Sequence, residues 1–78
     1  MKVLYFASLK ESLNLTKELI QISTPITVSR LRQILVEKHG EYLFKDSSLC
    51  AVNQTMATDE QLINNTDEVA FFPAVTGG

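Results

Sequence analysis

Hydrophobic and polar positions alternate between two periods along the chain. Residues Val3 to Ala7 are apolar, β-branched or aromatic, which predicts a first strand. Ser8 and Glu11 stand at capping-box spacing, which predicts a short helical turn, and Asn14 suits the left-handed residue that ends it. From Lys17 to Ile22 polar and apolar residues mostly alternate (Leu19 breaks the pattern), and a second strand is expected there. Pro25 then interrupts the chain. The period changes from Thr27 onward, where Val28, Leu31, Ile34 and Leu35 share one helical face. Thr27 is a good N-cap, and Ile26 with Leu31 has the spacing of a hydrophobic staple. Lys38 and His39 suit the negative end of that helix, and Gly40 suits its C-terminal cap.

Short strand signals follow. Leu49–Val52 reads as a strand, Asn53-Gln54 as a turn, and Thr55–Ala57 as a returning strand. Thr58 and Gln61 have capping-box spacing over another short turn, and residues 64–67 read as a loop. Val69–Phe72 is the last strand, which Pro73 stops by removing a backbone donor. The order predicts an α+β domain with one main helix packed on one face of a mixed sheet.

Composition narrows the function classes. The chain has 78 residues, 45% hydrophobic and 21% charged, with a net charge of −2. These values fit one folded domain and give no basic footprint for nucleic acid and no polybasic segment for a membrane. No apolar run approaches the ~20 residues that span a bilayer, and the apolar start lacks the marks of a signal peptide. A single cysteine, Cys50, points to a reducing, cytoplasmic setting. Cys50 reads as a small buried hydrophobe in a strand, with a sulfur-relaying thiol as the alternative. His39 reads as a helix-end cap or surface residue. The chain shows no metal-ligand spacing, no phosphate loop and no nucleophile–base set. No bound cofactor is expected.

Candidate chemistry sits at the end of the chain. Two of the three glycines are Gly77 and Gly78. At ordinary glycine usage such an ending arises by chance in about 0.5% of chains. One reading is a frayed terminus or a cloning remnant. The other is functional. Pro73–Gly78 would project as an extended arm reaching roughly 20 Å. The two glycines lack a Cβ and fit a narrow tunnel. The reactive group at the tip is the Gly78 carboxylate, a poor electrophile until activated, for example as an acyl-adenylate.

The run Val69-Ala70-Phe71-Phe72-Pro73-Ala74-Val75-Thr76-Gly77-Gly78 resembles the small subunit of molybdopterin synthase, a sulfur carrier of the ubiquitin-like β-grasp class. The resemblance continues in Asp67-Glu68, in Ala51-Val52-Asn53-Gln54 and in Lys2-Val3-Leu4-Tyr5-Phe6-Ala7. It implies a β-grasp domain over 1–72 and a flexible tail over 73–78. It implies that an E1-like adenylyltransferase uses ATP to adenylate Gly78, which becomes a thiocarboxylate. Val75, Thr76 and Gly77 would thread into the large subunit of the synthase, there passing sulfur to cyclic pyranopterin monophosphate to build the molybdopterin dithiolene. The catalytic side chains would lie on that large subunit, in a heterotetramer. Ala74 stands where a second proline is common, Thr66 replaces a usual glycine, and Asn14 sits where glycine is frequent.

Strand parity adds a docking surface. If Val3, Tyr5, Val69 and Phe71 face the helix, then Leu4, Phe6 and Phe72 face out. From parity alone, Phe6 and Phe72 can equally belong to the core. The resemblance assigns Phe6, Met56 and Phe72 to partner binding, with Lys10 at the rim. A sulfur carrier for another pathway, of the thiamine type, a ubiquitin-like protein modifier and a plain interaction domain are the alternatives.

Overall fold

The structure is a computed structural model that describes residues 1–40, 44 and 48–73. Its elements run β1 (Lys2–Tyr5), α1 (Ala7–Leu13), β2 (Lys17–Leu19), β3 (Ile26–Thr27), α2 (Val28–His39), β4 (Leu49–Val52), β5 (Thr55–Met56), β6 (Leu62–Ile63) and β7 (Glu68–Phe72). Among the described residues these strands form a five-stranded sheet in the order β2-β1-β7-β4-β5 and a small pair, β3-β6. β7 lies at the centre, parallel to β1 and antiparallel to β4. The outer pairs β1·β2 and β4·β5 are antiparallel. This mixed sheet grasping one long helix is the ubiquitin-like β-grasp architecture.

Alternation decides what each strand buries. Val3 and Tyr5, Cys50 and Val52, and Val69 and Phe71 turn to one face and are almost wholly buried. They pack with Val28, Leu31 and Leu35 of α2 and with Phe44, Leu9, Ile20 and Ile63 in one core. Edge-on aromatic contacts run through it, with ring centroids 5.9 Å apart for Tyr5–Phe44 and 5.1 Å for Phe44–Phe71. Edge-to-face pairs of this kind contribute beyond their buried area.

Helix α2 follows its expected caps. The Thr27 side chain accepts a hydrogen bond from the Arg30 amide at 3.1 Å, and the Gly40 amide donates to the Val36 carbonyl at 2.7 Å. Gly40 takes φ 90°, which a side chain would resist. The helix buries Arg32 where Ile34 was expected to share the face, and Ile34 is only half-buried. Each nitrogen of the Arg32 guanidinium finds a partner. It donates to Asp59 Oδ1 at 2.7 Å, to the Ser48 carbonyl at 2.9 Å and to Ser48 Oγ at 3.3 Å, and it lies 5.8 Å from the Phe71 ring centroid.

Several sequence expectations are corrected. The first strand ends at Tyr5 rather than Ala7, because Ala7 takes a left-handed φ of 54° and opens α1. The Ser8–Glu11 capping box therefore does not form. Phe6 occupies the N-cap with no side-chain cap, and Ser8 lies inside the helix. The second strand stops at Leu19 and the returning strand at Met56. β3 and β6 were not anticipated. Asn14 does end α1 in the left-handed conformation. Asn53 and Gln54 have φ of 51° and 69°, the pair of positive values that a tight hairpin turn requires. Thr66 avoids positive φ. That turn closes instead through Asp67, whose amide donates to the Asn64 carbonyl at 3.0 Å and whose carboxylate accepts from the Asn64 amide at 2.7 Å.

Candidate functional site: an apolar sheet face at the root of the C-terminal arm

Because β7 is the central strand, the chain leaves the sheet from its most firmly paired position. Phe72 closes the β7–β4 ladder opposite Leu49, and Pro73 follows. The arm predicted to act, with Val75, Thr76, Gly77 and Gly78 and with Ala74 before them, lies outside the described residues.

The partner-binding candidates lie within them. The Phe6 amide donates to the Phe71 carbonyl at 3.1 Å, which extends the β1–β7 register by one residue and sets Phe6 beside Phe72. Phe72 is half-buried, while Phe6 is 48% exposed and Leu49 is 38% exposed. One row along, the registers align Leu4, Ala70, Ala51 and Met56 across β1, β7, β4 and β5. Met56 is 59% exposed. The outer face is thus a continuous apolar surface that begins where the arm begins. Lys10 is exposed on α1, four residues beyond Phe6, and its amide donates to the Phe6 carbonyl at 3.3 Å. Parity located Phe6 and Phe72. Parity also turned Leu4 outward, while Leu49 and Ala51 were missed, because only the strand register brings them to this face.

Behind this face the titratable groups are structural. Cys50 is buried, and burial pushes its thiol up to about 11, Asp59 adding to the rise and Arg32 opposing it. The thiol stays protonated and cannot act as a ready nucleophile. Among the described residues no group of three or more His, Cys, Asp or Glu side chains could hold a metal ion. No described helix is long and apolar enough to cross a membrane.

His39 departs from its expected surface position. Its side chain is 12% exposed, and its Nε2 lies 2.9 Å from Glu18 Oε1. The same oxygen accepts the Tyr5 hydroxyl at 2.7 Å, and Lys38 pairs with Oε2. Burial acts to raise the Glu18 carboxyl, but the donors Lys38, Tyr5 and His39 outweigh it and hold it at about 2, well below its ordinary 4.5. Burial and the Glu18 hydrogen bond in turn push the Tyr5 phenol far up, so it remains a donor.

A pH prediction follows for stability. Between the unfolded value of 4.5 and the folded value of about 2, the unfolded chain takes up a proton at Glu18 and the folded chain does not. The stabilisation is complete above pH 4.5 and is lost as pH falls toward 2. The difference in melting temperature between the parent and Glu18→Gln should therefore be largest at neutral pH and shrink through this window. An equal difference at pH 2.5 and pH 7 would show that the Glu18 charge carries none of it.

Relatives extend the picture over the full chain. A molybdopterin synthase sulfur carrier subunit of Haemophilus influenzae is 37% identical, covering 100% of this chain and 99% of the relative. Another from Escherichia coli is 38% identical over 99% of this chain and 98% of the relative. In structure, the chain resembles a molybdopterin converting factor subunit 1 of Pyrococcus furiosus, with a TM-score of 0.79, 22% identity and 95% of each chain covered. It also resembles a chain in a complex of subunits 1 and 2 of a molybdopterin-converting factor from Helicobacter pylori, with a TM-score of 0.66, 22% identity and 99% and 96% covered. The ThiS family matches residues 3–78, which takes in the sheet, its apolar face and the Gly-Gly end together. By that match and by its full-length relatives, the chain belongs to the ThiS family and, within it, to the molybdopterin synthase sulfur carrier subunits.

Proposed function

We propose that this chain carries sulfur for molybdopterin synthase on the carboxylate of Gly78. The observation that carries the reading is its relationship, end to end, with sulfur carrier subunits at 37–38% identity. The chemistry of the arm agrees. Attack of the Gly78 carboxylate on ATP releases pyrophosphate and leaves an acyl-adenylate. A sulfur nucleophile then displaces AMP and leaves a thiocarboxylate. An E1-like adenylyltransferase performs the activation. The large subunit of the synthase receives the arm, and the sulfur passes to cyclic pyranopterin monophosphate. The chain itself binds no cofactor and supplies no catalytic side chain; it is the sulfur-donating subunit of a two-subunit transferase.

The apolar face supports this division of labour. Exposed apolar patches rimmed by polar residues mark partner sites. Phe6, Phe72 and Met56, with Lys10 at the rim, dock the large subunit, so that Val75, Thr76 and Gly77 enter its channel behind Gly78. Residues 1–72 serve as the handle and 73–78 as the arm. A cytoplasmic setting suits the ATP-dependent activation.

The test is reconstitution. Incubated with an activating adenylyltransferase, ATP and a sulfide source, the intact protein should gain the mass of one oxygen-to-sulfur exchange at Gly78. Added to a large synthase subunit and cyclic pyranopterin monophosphate, it should yield molybdopterin. Sulfur loading without molybdopterin would place the carrier in another pathway, such as thiamine synthesis. Isopeptide linkage of Gly78 to lysines would make it a protein modifier.

A further inference from the structure

The arm leaves the sheet through one backbone pair. Along a strand, successive residues turn their backbone groups to opposite neighbours. The Asn53 amide donates to the Glu68 carbonyl at 2.8 Å, so the odd-numbered residues of β4 face β7. The Ala57 amide donates to the Cys50 carbonyl at 3.0 Å, so the even-numbered ones face β5. In β7 the Phe71 carbonyl accepts from the Phe6 amide on the β1 side, which leaves Phe72 turned to β4. Leu49 is therefore the residue that holds Phe72, and Phe72 is the last residue before Pro73.

What fixes Leu49 lies on the helix side of the sheet. Ser48 precedes it and is buried, and its carbonyl has no backbone partner among the described residues. Arg32 of α2 supplies one. Its Nη2 donates to the Ser48 carbonyl at 2.9 Å and its Nε to Ser48 Oγ at 3.3 Å. Asp59 draws Nη1 to 2.7 Å and so orients the fork. The same guanidinium lies 5.8 Å from the ring centroid of Phe71, the neighbour of Phe72 in β7. One side chain thus braces both β4 and β7 at the end where the arm departs. Arg32 is 8% exposed and sits on the face opposite Phe6, Phe72 and Met56, so a partner can cover the outer face without touching it.

We propose that Arg32 is a positioning residue for sulfur transfer, fixing the Leu49–Phe72 pair from which the arm departs. This role rests on the carrier reading above and adds to it a residue remote from the reacting end. Five residues follow Pro73. Extended, they reach at most about 17 Å. An arm drawn out to thread a channel has no slack to make up for a displaced root. Misplacing a reacting group by about 1 Å can cost 100-fold, so play at the root is felt at Gly78 as lost rate. Lysine cannot take the place of arginine here, because a compact point charge does not span Ser48 and Asp59 together.

The test compares Arg32→Met with the parent and with Ile63→Val, a core change on the β3–β6 pair. Replacing a buried ion pair by an apolar side chain of similar volume is often neutral for stability, which suits methionine to the purpose. Each chain is loaded with sulfur and mixed with saturating large synthase subunit and cyclic pyranopterin monophosphate. Single-turnover transfer is read per folded molecule. Arg32→Met should transfer about tenfold or more slowly, while Phe6 and Met56 keep its affinity for the large subunit close to the parent's. Ile63→Val should match the parent by this measure. In the unloaded chain, hydrogen exchange at the Phe72 and Leu49 amides should quicken by about tenfold or more in Arg32→Met, with the Val3 and Val69 amides unchanged. Arg32→Lys should recover only part of either effect. Should Arg32→Met fail to fold, the same two readings decide on Arg32→Lys. Parent-like transfer per folded molecule, or exchange that rises evenly along β1, β4 and β7, would overturn the proposal. A parent that loads or passes on no sulfur would overturn the carrier reading and the role of Arg32 with it, a failure visible without any variant.

Discussion

Deletion of Gly78 is expected to bring sulfur transfer below detection while leaving the melting temperature of the domain unchanged. The shortened chain would still end in a glycine carboxylate, chemically the same group on Gly77. It would fall short by one residue, about 3.3 Å of extended chain. Misplacing a reacting group by about 1 Å can cost 100-fold, so a gap of this size removes productive geometry at the activating enzyme and at the synthase alike. Stability should be spared because every core member among the described residues lies at or before Phe71. Intact mass after activation, molybdopterin yield and a thermal melt check the three parts. Retained sulfur loading on the shortened chain would show that end-group position is not decisive, and a lowered melting temperature would show that the arm belongs to the folded body.

What could be read from the amino-acid order depends on how local each cause is. Thr27 caps α2 and Gly40 closes it through contacts within four residues, and both were legible. The turn at Asn53-Gln54 and the left-handed Asn14 were legible for the same reason. β3 and β6 are two residues each, too short to show any period, and exist only because Ile26–Thr27 and Leu62–Ile63 meet across the fold. Arg32 reads as a solvated charge on a helix. Its burial depends on Ser48 and Asp59, sixteen and twenty-seven residues away. His39 needed Glu18, twenty-one residues distant, to be drawn inward. At the candidate site, parity placed Phe6 and Phe72 on the outer face and the resemblance added Met56, while the strand order that joins them to Leu49 and Ala51 was not accessible. The Ser8–Glu11 spacing misled because the backbone at Ala7, not a cap, starts α1.

Phe71 and Phe72 are neighbours with opposite duties, and truncating each should separate folding from docking. Phe71 is fully buried in the central strand, edge-on to Phe44 and beneath the Arg32 guanidinium. Removing a buried phenylalanine ring typically costs about 3–5 kcal/mol. A domain of this size has roughly 4–12 kcal/mol in all. Phe71→Ala is therefore expected to remove about 3–5 kcal/mol of that stability, read as a large fall in the denaturant midpoint, and sulfur transfer should fall only by the fraction that unfolds. Phe72 points to the other face and is only half-buried. Phe72→Ala should cost about 1 kcal/mol or less, within the range of surface changes that touch a packed neighbour. Its effect should appear instead as weaker binding to the large synthase subunit, by about tenfold or more if Phe72 is a central anchor. Adenylation of Gly78 at saturating enzyme separates the two cases, since Phe72→Ala keeps a folded chain with an intact end group. Denaturant melts and binding isotherms on the same two variants give the comparison. If Phe72→Ala lowers stability as much as Phe71→Ala, the ring belongs to the core, and the outer face loses the residue that ties it to the arm.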